Sequence, residues 1–447
     1  MQSACSYDIS SGNNPSIWLT SLTNTWNYQN AQRQWQQSTL VQNAYTFDNA
    51  GQRLTNHITS NGSSRTEYYG YDELNRLRTV DYGDGQTQSY TFDALGNRTS
   101  KQDSVSGTEN YAYNVANMLL TQGTNNYVND TNGNTLTGGG RTNIWDSQNR
   151  LVQCVNGTNT SSFVYAADGI RRQSTVNGTT TDFVVGNSMF VREQNHATGA
   201  NIATYLVGIR GPEYRRDDTT GQVRWYVYDG LGSVLGEVDP NGNITSSRKY
   251  DVYGLVRGGN NPGGSSNQKF VGQLGHPSED NTGMIYMRSR YYNPLAGRFS
   301  SEDPSKHGMS WFAYCHSNPV NWFDATGNEE TVAGTEATLA ADGFLDGLNL
   351  DLQITRLRWM ITGDKGFISV RMLKVIEGEI SSVNGMKNAL QAWAEANNLA
   401  RVIIQANGLS DKGARLMSLL GVMLGSGAKI TMTDNSFSQL LWIVAAE

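Results

Sequence analysis

Residues that mark oxidising compartments, metal sites or disordered linkers are scarce in this chain. Its 447 residues include three cysteines, Cys5, Cys154 and Cys315, which lie far apart and form no CxxC pair. Three is an odd number, and cysteines so few and so widely spaced argue against a disulfide framework and against a zinc ribbon. Proline is also rare, at 8 residues, which argues against a proline-rich linker. We therefore predict neither a metal site nor a cofactor.

Charge and long apolar runs are limited as well. The net charge of −6 gives no electrostatic reason to expect nucleic-acid binding by the whole chain. No apolar run approaches the roughly 18 residues that a membrane span needs. Residues 1–8 show neither the basic n-region nor the apolar h-region of a signal peptide. Export is then expected to use a dedicated secretion apparatus or a portion upstream of this sequence.

The residues that replace the missing ones favour a β protein. Hydrophobic residues make up 37% of the chain, below the roughly 45–50% of an average globular protein. The difference is filled by 48 glycines, by Asn, Thr and Ser, and by 22 tyrosines. Tyrosine and threonine favour strands, while glycine and asparagine favour tight turns. This composition predicts many short strands joined by polar turns.

An aromatic residue followed by aspartate recurs through the first half of the chain. The pairs begin with Phe47-Asp48, Tyr71-Asp72 and Phe92-Asp93, and weaker copies follow. The second position falls at 48, 72, 93, 114, 130, 146 and 166, with Asn at 114 and Ala at 166. Further copies end at Asp229 and Asp251. In each copy the aspartate is expected to accept backbone N–H groups in a turn, and a Gly or Asn three residues later supplies a positive φ. Such units must stack on one another to bury their aromatic face.

These pairs resemble the YD repeats of RHS/YD-repeat proteins, and residues 284–327 resemble the core segment that follows the repeats in that family. The resemblance implies a mainly β fold, a curved antiparallel YD-repeat sheet shell that forms part of a cocoon, with a small C-terminal α/β domain. It divides the chain into a repeat shell (1–265), a core or plug segment (266–327) and a variable C-terminal domain (328–447), the presumed effector.

The same resemblance implies aspartyl self-cleavage shortly after Gly327. The family's two aspartate motifs match Asp303-Pro304 and Asp324-Ala325, and a family arginine near those acids matches Arg298. Asp303 and Asp324 are 21 residues apart, a common interval of the repeat, so the two carboxylates are expected to face each other. A pair of carboxylates that shares one proton supplies an acid and a base for hydrolysis. The alternative is that both aspartates cap turns, and the second motif lacks its proline.

The sequence changes character after Gly327. Residues 367–380 predict one long strand or two paired strands, 401–406 and 440–444 predict strands, as does 429–433, and 385–399 and 410–420 predict helices. Residues 328–447 contain no His and no Cys, which disfavours His-dependent nucleases and zinc deaminases. The order of elements loosely resembles half of an N-acetyltransferase fold, and Glu377-Gly-Glu379 resembles the Glu-x-Glu pair of ADP-ribosyltransferases. An exposed strand face is the alternative for both acids.

The function implied by the resemblance is that of an RHS-type polymorphic toxin. In this reading the shell and core carry a C-terminal effector used against other bacteria or a host, and they release it by self-cleavage. A cognate immunity protein and a secretion apparatus are the expected partners, and secretion or delivery by a specialised system is the expected location. The alternative is a structural or adhesive YD-repeat surface protein with an inert C-terminal tail.

Overall fold

A computed structural model describes most of the first 328 residues and several strands beyond them. The described ranges are 2–9, 17–29, 35–60, 62–186, 188–208, 211–306, 310–328, 330–332, 352–362, 365–375, 401–406 and 439–444. The chain divides into two compact units. The first contains Met1–Ser3 and Tyr7–Gly334, and the second contains Ala4–Ser6 and Thr335–Glu447.

The first unit is built on two long, open antiparallel sheets in which every strand pairs with the next one along the chain. The eleven strands of the first sheet are β1 Gln2–Ile9, β2 Ile17–Gln29, β3 Trp35–Phe47, β4 Arg53–Ser60, β5 Ser63–Tyr71, β6 Leu77–Asp81, β7 Thr87–Phe92, β8 Arg98–Asp103, β9 Gly107–Tyr113, β10 Leu119–Gln122 and β11 Asn125–Asn126. The thirteen strands of the second are β12 Val128–Asn129, β13 Thr135–Gly138, β14 Arg141–Trp145, β15 Leu151–Asn156, β16 Asn159–Tyr165, β17 Arg171–Val176, β18 Thr179–Gly186, β19 Met189–Asn195, β20 Asn201–Gly208, β21 Gly211–Asp217, β22 Val223–Tyr228, β23 Val234–Val238 and β24 Ile244–Ser247. The predicted curved, mainly β YD-repeat sheet is confirmed.

The repeat forms the turn that its sequence predicts. In the copy at Asp72, the side-chain Oδ1 accepts the backbone N–H groups of Leu74 and Arg76, both at 3.0 Å. Asn75, three residues after the aspartate, has a φ of 60°. The same pair of bonds recurs at Asp48, Asp93, Asp130, Asp146, Asp229 and Asp251. Each aspartate therefore satisfies two backbone donors that the tight turn would otherwise leave unpaired.

Short elements after the second sheet pack over the repeats. They are β25 Lys249–Tyr250, β26 Val256–Gly258, β27 Ser278–Glu279, β28 Met284–Met287, β29 Arg290–Asn293, β30 Arg298–Phe299, β31 Trp322–Asp324 and β32 Glu330–Val332, with 3-10 turns at Gly272–Leu274 and Cys315–Ser317. Strands β27 to β30 form one sheet, and β31 pairs with β32. Met284, Tyr286 and Tyr291 share a buried cluster with Leu151 and Phe163 of the second sheet.

Buried amides join this segment to the first sheet. The Asn321 side chain accepts the Arg53 backbone N–H at 2.9 Å and donates to the Tyr71 hydroxyl at 2.9 Å. Asn318 donates to the Asn75 carbonyl at 2.7 Å. Because Asn318 and Asn321 are almost fully buried, these bonds fix the segment against particular repeat turns rather than merely covering them.

The second unit contains two described antiparallel strand pairs. Strand β33 Leu352–Thr362 pairs antiparallel with β34 Lys365–Val375, and β35 Arg401–Ala406 pairs antiparallel with β36 Gln439–Val444. Strands were expected at 367–380, 401–406 and 440–444. The expected helices at 385–399 and 410–420, the strand at 429–433 and the pair Glu377 and Glu379 lie outside the described residues. Among the described residues, no helix has the length and apolar character needed to span a membrane.

Candidate functional site

Two aspartates and an arginine meet in the segment that follows the repeats. The Arg290 Nη2 atom lies 3.5 Å from Asp303 Oδ2 and 3.3 Å from Asp324 Oδ2. All three side chains are buried, with Asp324 0% exposed. The sequence suggested that the two carboxylates would face each other from successive hairpins of one sheet. They meet instead between two small sheets, because Asp303 follows β30 and Asp324 ends β31.

Arg290 is held rigidly between its partners. Its guanidinium stacks 3.6 Å from the centre of the Phe299 ring, and Nη1 donates to the Trp311 carbonyl at 3.1 Å. Its Nε donates to the Gly327 carbonyl oxygen. A buried guanidinium is tolerated where acceptors surround it. The site therefore places one cation between two carboxyl groups and is largely closed to solvent.

The peptide bond between Gly327 and Asn328 is bound at both of its polar groups. Asp324 Oδ1 accepts the Gly327 N–H at 2.7 Å and the Asn328 N–H at 3.1 Å. Arg290 donates to the carbonyl oxygen of the same peptide. The Ser305 hydroxyl donates to the next carbonyl oxygen, that of Asn328, at 3.3 Å. One peptide bond thus lies between a carboxylate on its nitrogen side and a cation on its oxygen side.

Both aspartates also cap turns, as the alternative reading of the sequence stated. Asp303 Oδ1 accepts the backbone N–H of Ser305 at 2.8 Å and the Ser305 hydroxyl at 2.6 Å. Asp324 Oδ1 accepts the N–H groups of residues 326 to 328, much as the repeat aspartates do. In each aspartate the turn occupies Oδ1, while Oδ2 faces Arg290. Turn capping and a shared charged site are therefore compatible.

Arg298, the arginine expected beside the acids, lies elsewhere. Its Nη2 donates to the Asn117 carbonyl at 2.6 Å, and its guanidinium lies between the rings of Tyr113 and Phe312, at 4.9 and 4.7 Å. Burial lowers the pKa of Arg298 below its ordinary value. Within the described residues, the position between the two carboxylates belongs to Arg290. Arg298, to which the sequence match pointed, lies on β30, one strand after Arg290 on β29.

Arg290, Ser305 and Asn328 are the site residues that sequence reasoning missed. A signal for Arg290 was present, because it interrupts the aromatic and apolar run 284–293. A cation in a strand whose residues are all buried needs carboxylate or carbonyl partners. Ser305 and Asn328 carried no comparable signal. Among the residues that the structure describes, no cluster of three His, Cys, Asp or Glu side chains could hold a metal ion.

Comparison with known proteins places the repeats and core in a family. Residues 12–320 match the Teneurin YD-shell family. The chain is 28% identical over 292 residues to the tRNA3(Ser)-specific nuclease WapA of Bacillus spizizenii, a match that covers 61% of this chain and 12% of that protein. It is 26% identical over 290 residues to the double-stranded DNA deaminase toxin A of Burkholderia cenocepacia, covering 63% of this chain and 17% of the toxin. The chain thus spans less than a fifth of these relatives.

Solved structures share the fold. The TcdB2-TccC3 crystal structure superposes with a TM-score of 0.57 at 19% identity, covering 73% of this chain and 19% of that one. The Tc holotoxin pore of Photorhabdus luminescens gives a TM-score of 0.54 at 18% identity, covering 70% and 18%. At such identities the likeness concerns the fold alone, and it agrees with the family match. The chain is a member of the Teneurin YD-shell family and an RHS/YD-repeat protein related to toxins.

Proposed function

We propose that this chain is a portion of an RHS-type toxin, in which the shell and core segment release residues 328–447 by cutting their own chain after Gly327. The observation that carries the proposal is the binding of the Gly327–Asn328 peptide. Asp324 accepts its N–H, Arg290 donates to its carbonyl oxygen, and Asp303 shares the same guanidinium. These are the groups that hydrolysis of a peptide bond requires.

The proposed reaction assigns a different task to each carboxyl group. Asp303 takes a proton from a water molecule, and the oxygen of that water adds to the Gly327 carbonyl carbon. Asp324, in its protonated form, gives its proton to the Asn328 nitrogen; in the resting structure Asp324 Oδ1 accepts the N–H of that nitrogen, so the two groups are already in contact. The C–N bond then breaks, leaving a carboxyl group on Gly327 and an amino group on Asn328. Two neighbouring carboxyl groups in different protonation states are a known arrangement for this chemistry.

Arg290 contributes by electrostatics. Negative charge develops on the carbonyl oxygen as water adds, and a donor fixed beforehand stabilises that charge without having to reorganise. Arg290 already donates to this oxygen, and its stacking on Phe299 and its bond to Trp311 hold it in place. The same guanidinium reduces the repulsion between the two carboxylates, which allows them to lie together in a buried site.

Self-cleavage predicts two fragments from the purified full chain. A denaturing gel and intact-mass measurement should show residues 1–327 and 328–447 in place of the 49.1 kDa chain. Asp303→Asn and Asp324→Asn should each leave one uncut band, because asparagine keeps the turn bonds but cannot exchange the proton. The matched control is Asp72→Asn, which changes a turn aspartate ion-paired with Arg76 in the repeat and should cut normally. An uncut wild-type chain, or normal cutting by Asp324→Asn, would contradict the mechanism.

The released segment, 328–447, is proposed to be the effector. The relatives that match this chain are named for different activities, a tRNA nuclease and a double-stranded DNA deaminase. A shared shell with unlike activities supports a shell that carries interchangeable effectors. Residues 329–447 have 10 Lys and Arg against 13 Asp and Glu and no His or Cys, which disfavours the chemistry of both relatives. We further infer export by a dedicated apparatus and a cognate immunity protein in the producing cell.

One simple growth measurement distinguishes the toxin proposal from its structural or adhesive alternative. Bacteria that express residues 328–447 from a tightly repressed promoter should stop growing on induction. Cells that express the Asp324→Asn full chain should grow better than cells that express the wild-type chain, because the effector stays attached. Normal growth at high, soluble expression of residues 328–447 would favour the structural protein.

A further inference from the structure

A single hairpin turn contacts successive residues on both sides of the proposed cut. Arg288 and Ser289 form the turn between β28 and β29, and together with Arg290, the first residue of β29, we call them the 288–290 turn. Arg288 Nη1 donates to the carbonyl of residue 325 at 2.8 Å, the Ser289 N–H donates to the carbonyl of residue 326 at 3.2 Å, and Arg290 Nε donates to the carbonyl of residue 327. Three consecutive donors therefore bind three consecutive carbonyls.

The 288–290 turn also contacts Asn328, on the other side of the proposed cut, and two further carbonyl groups hold Arg288 in place. The Asn328 side-chain amide donates to the Ser289 hydroxyl at 3.0 Å. Arg288 also donates to the Leu274 carbonyl at 3.0 Å through Nη2 and to the Ser188 carbonyl at 3.2 Å through Nε. Because Arg288 is bound through all three of its nitrogens, its orientation toward residue 325 is fixed before any reaction.

A buried histidine binds the first of these carbonyls a second time. His276 is 0% exposed, and its Nε2 lies 3.1 Å from the Ala325 carbonyl oxygen. Burial lowers the pKa of His276 to about 3, so the ring is neutral at physiological pH. A carbonyl oxygen can accept but not donate, so Nε2 carries the ring proton. The other nitrogen, Nδ1, is buried and has no hydrogen-bond partner among the residues that the structure describes. Such a group is expensive to bury, which argues for a role beyond filling space.

Gly327 lies against the 288–290 turn more closely than any other residue type could. Its φ is +79°, and a Cβ atom placed there would lie 2.2 Å from the Met287 carbonyl oxygen and 3.1 Å from the Arg290 nitrogen. A contact below about 3 Å between a carbon and a backbone oxygen forces one of them to move. The turn therefore admits a glycine directly before the cut and excludes larger residues from that position.

We propose that His276, Arg288 and Ser289 are positioning residues that select which peptide bond is cut. The inference rests on the proposed self-cleavage. His276 and Arg288 bind the carbonyl of residue 325, and Ser289 binds the carbonyl of residue 326 and the Asn328 side chain. Together they fix the register of residues 325–328 against the turn. A slip of one residue would place a side chain where Gly327 must lie and would move every carbonyl away from its donor. These residues thus set the site of cleavage, while Asp303, Asp324 and Arg290 act on the bond itself.

The test follows newly made full-length chain in a cell-free translation reaction, with gel time points and intact masses of the products. Wild type should give one cut, after Gly327. His276→Leu and Arg288→Gln should slow that cut by about ten- to a hundredfold and add products cut at neighbouring bonds. His276→Gln should restore the single cut, since its side-chain amide can reach the position of Nε2. His196→Leu, at an exposed histidine that pairs with Asp182, is the matched control and should behave as wild type.

Two measurements, the cleavage products and hydrogen exchange, distinguish a failure of the positioning role from a failure of self-cleavage. If His276→Leu and Arg288→Gln both give the single cut at the wild-type rate, the positioning role is wrong. If the wild type is not cut at all, self-cleavage fails, and hydrogen exchange then tests the register directly. Exchange of the Thr326 and Gly327 amides should be at least tenfold faster in Arg288→Gln than in wild type, and equal exchange overturns the inference. Circular dichroism checks that each variant folds. If His276→Leu does not fold, Arg288→Gln provides the test, because Arg288 is partly exposed.

Discussion

Arg290→Lys should slow self-cleavage by about 10²–10³-fold, whereas Arg298→Lys should cut at close to the wild-type rate. Arg290 uses three nitrogens on separate partners: Nε on the Gly327 carbonyl, Nη1 on the Trp311 carbonyl and Nη2 on the two carboxylates. Lysine offers one ammonium group at the end of a flexible stem and cannot reproduce this fork. Losing one fixed donor to a developing oxyanion typically costs about 10²–10³ in rate.

Arg298 is a close control for Arg290. Both are buried arginines of neighbouring strands, and both contact aromatic rings. The comparison separates chemistry at the cut from the general cost of changing a buried arginine. The rates are measured from the decay of full-length chain after synthesis, and urea unfolding of both variants in an Asp303→Asn background shows whether their stabilities match. Equal slowing of both variants, at equal loss of stability, would remove Arg290 from the reaction.

Arg171→Met should lower the free energy of unfolding of the first unit by about 3–5 kcal/mol. Arg171 is 1% exposed, and its Nη2 lies 2.5 Å from Glu279 Oε1. Its guanidinium also lies 4.6 to 5.4 Å from the centres of four aromatic rings, those of Phe163, Phe183, Phe190 and Tyr286. Methionine fills much of the space but leaves the Glu279 carboxylate buried without its cation. An uncompensated buried charge, rather than lost attraction, accounts for most of the expected loss.

A double-mutant cycle distinguishes the two contributions. Glu279→Gln in addition to Arg171→Met should recover about 2 kcal/mol or more, because the buried charge is then gone. Arg172→Met is the neighbouring control: its ion pair with Asp168 is largely exposed, so the change should cost less than about 1 kcal/mol. Urea denaturation followed by tryptophan fluorescence provides the values for these variants and for Glu279→Gln alone, which completes the cycle. If Arg171→Met proved as mild as Arg172→Met, the buried pair would not hold the core segment to the second sheet.

The repeat architecture could be predicted because residues that are close together in the sequence specify it. An aspartate, a positive-φ residue three positions on and an aromatic before them specify a turn whose bonds all lie within five residues. Asp72, Leu74, Asn75 and Arg76 show this, and their sequence alone contained the information. Copies with a weaker sequence, such as the one at residue 166, still form the turn: the Gly169 N–H donates to the Ala166 carbonyl at 3.0 Å.

The candidate site was less predictable because it depends on contacts between distant residues. Asp303 and Asp324 could be picked from their motifs, but the choice between Arg290 and Arg298 depends on which way β29 and β30 face. Arg298 points toward Asn117 in the first sheet, 181 residues away along the chain. No local pattern specifies that contact. The role of His276 could not be predicted for the same reason, since its partner is the backbone of residue 325 and not a side chain.

Every strand of the two long sheets pairs with its successor, and this affects the order in which the parts of the chain fold. Contacts between neighbours in sequence form early, so the two long sheets can grow strand by strand as the chain is made. The bonds of Asn318 and Asn321 to Asn75, Arg53 and Tyr71 instead join residues more than two hundred positions apart, and they must wait for both ends. Arg290, Asp303 and Asp324 belong to that late-forming segment. If the chain cuts itself as proposed, the cut follows completion of the two sheets, and residues 328–447 stay covalently attached until then.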